Sequence, residues 1–311
     1  MKSLHQCVHE YLTMRRALGF RLKKDERLLL DFAAFMKHRR AKRITVKLAI
    51  KWAQRTGSAD QNYHAGRLRA IRSFVRYRIL IDPCTEIPSA DSLPRQRRLF
   101  HPHLYSKEEI RRLLAATLQR RRSATSISRW ARFTLFGLLS VTGLRVSEAL
   151  NLDLQDVDLD QGILTIRNSK FGKSRLVPVH PSTCAVLRDY LRRRNEYFAG
   201  RPIVPFFVSR HGTRMGHGTA CKTFLILSRK LGLRKPSDRQ GPRLHDFRHS
   251  MAVEVLRRCS RSGADPERRL PALATYLGHT NLSHTYWYLH QNPSLMKQAM
   301  TRLEHRWEGL P

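Results

Sequence analysis

Residues Arg129–Leu152 read RWARFTLFGLLSVTGLRVSEALNL. The run RWARFTLFGLLSV predicts a helix buried in a core, and its apolar part is too short to span a bilayer. Thr142 and Gly143 break that helix, and a second one begins beyond them. Arg145 falls at its start, where a guanidinium adds a two-pronged donor to backbone N–H groups already aimed at an anion. Downstream, GILTIRNS and SRLVPVH alternate like the strands of a hairpin, joined by the short turn KFGK with Gly172. HPSTCAVLRDYLRRRNEYF, TACKTFLILSRKLGL, HDFRHSMAVEVLRR and PALATYLGH then all carry helical periodicity.

Upstream, residues 4 to 80 predict helices with basic residues between the apolar ones. In ERLLLDFAAFMKHR, Leu28, Leu29, Phe32 and Phe35 form one stripe. In YHAGRLRAIRSFVRYRIL the residues Arg67, Arg69, Arg72 and Arg76 surround an apolar stripe and suit a DNA-facing surface. The texture changes in IDPCTEIPSADSLPRQRRLFHPH, with four prolines and the basic pair Arg97 and Arg98, as a linker crossing a phosphate backbone would have. Ser106 and Glu109 then make a capping box. The expected division is a helical domain over 1–85, a linker over 86–104 and a second domain over 105–311. The fold class is mainly α with a small antiparallel β-sheet.

The chain of 311 residues carries 59 Lys+Arg against 24 Asp+Glu, a formal net charge of +35. Self-repulsion on that scale opposes folding, so a polyanion is the expected partner, nucleic acid before an acidic membrane surface. No strongly amphipathic basic helix with bulky anchors supports the membrane alternative. Cys7, Cys84, Cys184, Cys221 and Cys259 are scattered, with no CxxC pair, which argues for a reducing cytosol and against a disulfide frame or a zinc site. A cytoplasmic protein without metal or cofactor is the expectation.

Three further groups could do chemistry. His245 and Arg248 in HDFRHS lie three apart, on one helix face, and could touch the same phosphate. Lys170 and Lys173 sit on the hairpin turn, where either could protonate a leaving 5′ oxygen. LGHTNLSHTYWYLH, residues 277–290, offers Tyr286 and Tyr288 in a cluster of histidines. If Ser283 opens a helix, Leu282, Tyr286 and Leu289 share an apolar face. Tyr288 then points about 200° away from Tyr286.

In chain order, Arg145, Lys170, His245, Arg248, His279 and Tyr288 resemble the signature of the tyrosine recombinase (phage integrase) family. TGLRVSEALNL, KSRLVPVH, RLHDFRHS and YLGH all look like its boxes, and the likeness spans the whole second segment. The first segment resembles the family's helical core-binding domain in shape. The resemblance implies a mixed α/β catalytic domain that cuts and rejoins DNA at specific sites. Arg145 and Arg248 would grip the non-bridging oxygens, with His279 adding a hydrogen bond. Lys170 would act as general acid, with Lys173 as the alternative, and His245 would accept or orient the tyrosine proton. Tyr288, nine residues after the LGH histidine, would be the nucleophile.

Lys173 and Arg175 join the arginines above as DNA-binding candidates. The implied partners are double-stranded DNA sites and a homotetramer or companion recombinases. The stretch PSLMKQAMTRLEHRWEGLP, with Leu295, Met296, Ala299 and Leu303 apolar, would dock on a neighbouring protomer. Two departures stand out: Ser169 precedes Lys170 where the family often has glycine, and CSRSGADPERRLPALATYLGH is longer than the usual link between boxes. A type IB topoisomerase shares this chemistry, and a non-catalytic basic DNA-binding protein shares the charge.

Overall fold

A computed structural model describes residues 2–20, 22–95, 101–119, 127–169, 172–238, 241–290, 296–297 and 300–301. The chain divides into two units, Met1–Phe100 and His101–Pro311.

The first unit holds α1 (Leu4–Ala17), α2 (Lys23–His38), α3 (Val46–Gln54) and α4 (Gln61–Arg78). Their starts follow from local chemistry. Ser3 and Gln6 cap α1 reciprocally, Thr45 accepts from the Leu48 N–H, and Asp60 accepts from the Asn62 N–H. The stripe of Leu28, Leu29, Phe32 and Phe35 is buried as expected, packed with Tyr11, Trp52 and Phe74. Two expectations need correction. Residues 86–93 are not a free linker, because the Glu86 N–H donates to Ile44 O at 2.9 Å and its carboxylate accepts from the Val46 N–H at 2.7 Å. A carboxylate at the start of α3 satisfies one of its open donors and suits the helix dipole. Leu93 then joins the core.

Arg67 is the second correction, being buried rather than DNA-facing. Its guanidinium lies over the Trp52 ring at 4.1 Å and donates to Asp31 at 3.1 Å. Arg69 and Arg76 are exposed and Arg72 is half-buried. Arg97 and Arg98 lie outside the described residues.

The second unit contains α5 (Lys107–Leu118), α6 (Ile127–Thr142) and α7 (Val146–Leu150). A sheet of β1 (Val157–Asp158), β2 (Ile163–Ile166) and β3 (Arg175–Pro178) follows. After it come α8 (Pro181–Tyr197), α9 (His217–Lys230), α10 (Asp246–Arg261), α11 (Pro266–Leu277) and α12 (Ser283–His290). The capping box at Ser106 and Glu109 opens α5. Helix α6 carries Ala131, Leu135, Phe136, Leu138 and Leu139 into the main core, as its apolar run requires. The strands run antiparallel in the order β1-β2-β3, with Ile163 opposite Pro178 and Ile166 opposite Arg175.

Where α10, α11 and α12 meet, a smaller apolar cluster gathers Val253, Leu256, Leu270, Leu273, Leu277 and Tyr288. Of the expected C-terminal helix, only Met296, Lys297, Met300 and Thr301 are described. No helix among the described residues is long and apolar enough to cross a membrane.

Candidate active site

Gly143, at φ +62°, turns the chain between α6 and α7 and brings Arg145 to the N-cap of α7. The site grows from there around one buried carboxylate. Glu148, a turn later, accepts from the Arg145 N–H at 3.1 Å and from its Nη1 at 2.5 Å. From β3, Arg175 adds two donors to the same carboxylate, at 3.2 and 2.8 Å. Burial opposes ionisation of Glu148. The hydrogen bonds and charge of Arg175, together with the Arg145 N–H and side chain, outweigh it and hold the carboxyl below its ordinary range. The helix start is thus occupied by Glu148, and the groups of Arg145 able to meet an anion are those of its guanidinium.

The second organiser is the end of α11. A helix leaves its last carbonyls without intrahelical partners and carries a partial negative charge there, so it attracts cations. Here three successive carbonyls hold three arginines. Tyr276 O accepts from Arg175 Nε at 2.8 Å, Leu277 O from Arg248 Nη2 at 2.6 Å, and Gly278 O from Arg145 Nη2 at 3.0 Å. Arg248 Nη1 also donates to Gly143 O at 2.9 Å. Gly278 sits at φ +70°, the left-handed cap that ends the helix.

Arg248 rises from the first turn of α10 and is 2% exposed. Burial, then the charge of Arg145, pushes its pKa down to about 10, which leaves it protonated at neutral pH. His245 is the N-cap of the same helix and sits at the surface of the site. Partial desolvation and the charges of Arg248, Arg243 and Arg145 push its pKa down to about 4. His249 follows one turn later, its ring 5.1 Å from that of His245 and 5.6 Å from that of Tyr288. Burial and the same basic surroundings bring it to about 4 as well.

His279, just past the end of α11, pairs its Nδ1 with Thr285 Oγ1 at 2.7 Å. With the Thr285 hydroxyl donating to Nδ1, the neutral ring carries its proton on Nε2, where it can serve as a donor. Burial, then Arg248 and Arg145, lowers its pKa to about 3. The ring stacks on Tyr288 with centroids 6.2 Å apart and planes 23° from parallel. Tyr288 is 2% exposed. Burial raises its pKa, while Arg248 and then Arg145 act in the opposite direction.

The two tyrosines do not lie as the apolar face of α12 suggested. Tyr286 and Leu282 are exposed, and Thr285 and Tyr288 are buried. Of the expected face only Leu289 packs inward; the inward side combines Tyr288 and Leu289, set in the apolar cluster, with Thr285, paired to His279. Arg145, His245, Arg248, His279 and Tyr288 are nonetheless brought together, through shared contacts with the end of α11 and the first turn of α10. Lys170 lies outside the described residues, and Lys173 is exposed on the turn, where its carbonyl accepts from the Ser169 N–H at 2.8 Å. Arg175, expected on DNA, is instead turned inward and engaged with Glu148 and Tyr276 O. Sequence reasoning passed over Glu148 and Thr285, and set aside His249, four residues after His245, without giving it a role. Only Glu148 had a signal, its spacing of three from Arg145. Among the described residues no group of His, Cys, Asp or Glu could hold a metal ion.

Residues 104–294 match the sequence profile of the phage integrase family. A Sinorhizobium fredii protein named as an integrase/recombinase, y4rB, is 51% identical over 99% of this chain and 99% of its own length. The tyrosine recombinase XerC of Chlamydia caviae is 30% identical over 75% of this chain and 69% of its own. Among solved structures, the Tn1549 transposon integrase in complex with transposon right end DNA aligns at a TM-score of 0.66 with 16% identity, covering 97% of this chain and 100% of that one. The XerH site-specific recombinase bound to its palindromic difH substrate aligns at 0.63 with 21% identity, covering 89% and 78%. At these identities the structural likeness speaks for the fold.

Proposed function

The chain belongs to the phage integrase family as a site-specific recombinase of the tyrosine type, and from that premise we propose that it exchanges DNA strands through a covalent 3′-phosphotyrosine link, without metal or high-energy cofactor. The observation that carries the reading is the convergence of Arg145, Arg248, His279 and Tyr288 on the end of α11. A scissile phosphate placed there meets two guanidiniums and the Nε2–H of His279, fixed donors aimed at charge that grows in the transition state. Tyr288 Oη attacks phosphorus, the P–Oη bond forms and the P–O5′ bond breaks. The phenol proton passes to neutral His245, whose pKa the incoming phosphate charge raises toward a useful value. The 5′ oxygen takes its proton from Lys170, with Lys173 on the same turn as the alternative donor.

The phosphotyrosine keeps the energy of the broken bond, so a 5′ hydroxyl from a second duplex can reverse the step onto a new partner. Exchange between two duplexes takes four cuts, which four copies of this chain supply, or two copies with companion recombinases. The substrate is double-stranded DNA, and Arg69, Arg72, Arg76, Arg97, Arg98 and Lys173 are proposed to contact its backbone.

The test begins with a duplex selected for binding from a randomised pool and nicked beside the cleavage point. Incubated with the wild-type chain, it should yield a denaturant-resistant protein–DNA adduct. Tyr288→Phe should give none, while Tyr286→Phe should retain it. An adduct kept by Tyr288→Phe and lost by Tyr286→Phe would overturn the assignment.

A further inference from the structure

Residues 278–282 join α11 to α12, and a side-chain hydrogen bond spans the junction, between His279 Nδ1 and Thr285 Oγ1 at 2.7 Å. Its two partners are held by different elements. The His279 N–H donates to Ala274 O at 2.9 Å, which ties the histidine to the last turn of α11. Thr285 lies in the first turn of α12, three residues before Tyr288, and its N–H donates to Leu282 O at 2.7 Å. Asn281 closes the connection, accepting from the Ser283 N–H at 2.9 Å.

Burial decides which way the hydrogen in this bond runs. Thr285 is 0% exposed, and among the described residues Nδ1 of His279 is the one partner of its hydroxyl. A hydroxyl has one hydrogen to give and two lone pairs. Accepting from an Nδ1–H would leave that hydrogen buried without an acceptor, which costs more than an ordinary hydrogen bond contributes. Donating to Nδ1 satisfies both groups. His279 is kept neutral by desolvation and by the charges of Arg248 and Arg145, so its one ring proton then sits on Nε2. In the other tautomer Nε2 would present a lone pair to a phosphate, and an attraction would become a repulsion.

We propose that Thr285 is a positioning residue, which fixes the donor tautomer of His279 and makes that donor depend on the seating of α12. Tyr288 enters the apolar cluster from the same helix, one turn on, so a helix that withdraws the nucleophile as a unit withdraws the hydroxyl too. With α12 seated, Tyr288 stacks on a His279 ring whose Nε2–H is available. With α12 away, Nδ1 meets water, which donates or accepts, and neither tautomer is selected. Nucleophile and transition-state donor are thereby armed together. A phosphate held by Arg145 and Arg248 alone is bound, and His279 joins them only when Tyr288 is in place. Thr285 acts on the phosphate through His279, and the use of that donor on a phosphate rests on the recombinase reading.

The test uses the full-length chain and two readouts. One is the rate of adduct formation on the nicked duplex in a single turnover. The other is the NMR shifts of the His279 ring nitrogens, in protein isotopically labelled at histidine nitrogen and assigned by difference against His279→Leu. Thr285→Val keeps the branched shape and removes the hydroxyl. It should slow the adduct about tenfold and give the shifts of a tautomer mixture. Thr285→Ser returns the hydroxyl and should restore both the rate and the Nε2–H signature. In a His279→Leu background, Thr285→Val should cost nothing further, because the residue it acts through is gone. Melting temperatures check that each variant is folded. The proposal fails if Thr285→Val keeps either the wild-type rate or the Nε2–H signature. It fails equally if the loss is as large in the His279→Leu background, which would assign Thr285 to the packing of α12 alone. The shifts need no reaction, so a wild-type chain that shows the Nε2–H signature and yields no adduct sinks the recombination reading, while the shifts of Thr285→Val still decide the tautomer assignment.

Discussion

Glu148 shows how a residue with no place in the chemistry can govern it. Its side chain is 3% exposed, and it accepts from Arg145 on one side and Arg175 on the other. Removing it leaves two guanidiniums partly buried beside Arg248 with no counter-charge, and breaking such a buried pair costs about 3–5 kcal/mol. Glu148→Ala should therefore lower the melting temperature clearly and suppress adduct formation. Asp160→Ala, which removes only the solvent-exposed partner of Arg188, should leave both unchanged. Equal effects of the two substitutions would count against the role given to Glu148. At this scale the sequence was legible wherever residue types recur in a fixed order, as with Arg145, His245, Arg248, His279 and Tyr288. It was not legible where the partner is a backbone carbonyl, because Leu277 O and Gly278 O carry no side-chain code. Arg67 misled for a similar reason: its acceptor, Asp31, lies 36 residues away and on another helix.

Among elements, the end of α11 has the largest influence. A Cβ on Gly278 would lie 2.8 Å from Arg175 Nη1 and 3.0 Å from its Cζ, and that guanidinium is pinned by Glu148 and Tyr276 O. Gly263 has a similar φ of +76° but open space around it. Gly263→Ala should thus cost about 1 kcal/mol of left-handed strain alone. Gly278→Ala should cost more and should reduce adduct yield as Arg175 and Glu148 are driven apart. Equal losses in chemical denaturation would show that the contact with Arg175 is immaterial. The helices and the hairpin were readable from periodicity and turn residues, down to the capping box at Ser106. The orientation of α12 was not, because its buried face mixes Tyr288 and Leu289, which join the apolar cluster, with Thr285, which pairs with His279. Prolines likewise suggested a linker over 86–104, at whose start the Glu86 carboxylate instead anchors the chain to the start of α3.

For the whole molecule, the formal charge of +35 is a standing repulsion that a polyanion relieves. A duplex that binds the folded chain should stabilise it, by about 2.7 kcal/mol at a hundredfold excess over Kd, or roughly 5–10 °C in melting temperature. Scrambled duplex should give that rise at low salt and lose it at high salt, as counterion release requires. A rise indifferent to salt would point to some other contact. Composition made the class of partner readable, while nothing in it indicates which bases are read. The arrangement at the end of α11 also bears on how the protein is made. Arg145 is synthesised 133 residues before the carbonyl that fixes it, and Arg175 101 residues before its own. A chain halted before α11 can therefore pair Arg145 and Arg175 with Glu148 but lacks the carbonyls that complete their anchoring, and it lacks Tyr288. On the mechanism proposed above, a chain that has not yet reached α12 should be unable to nick DNA.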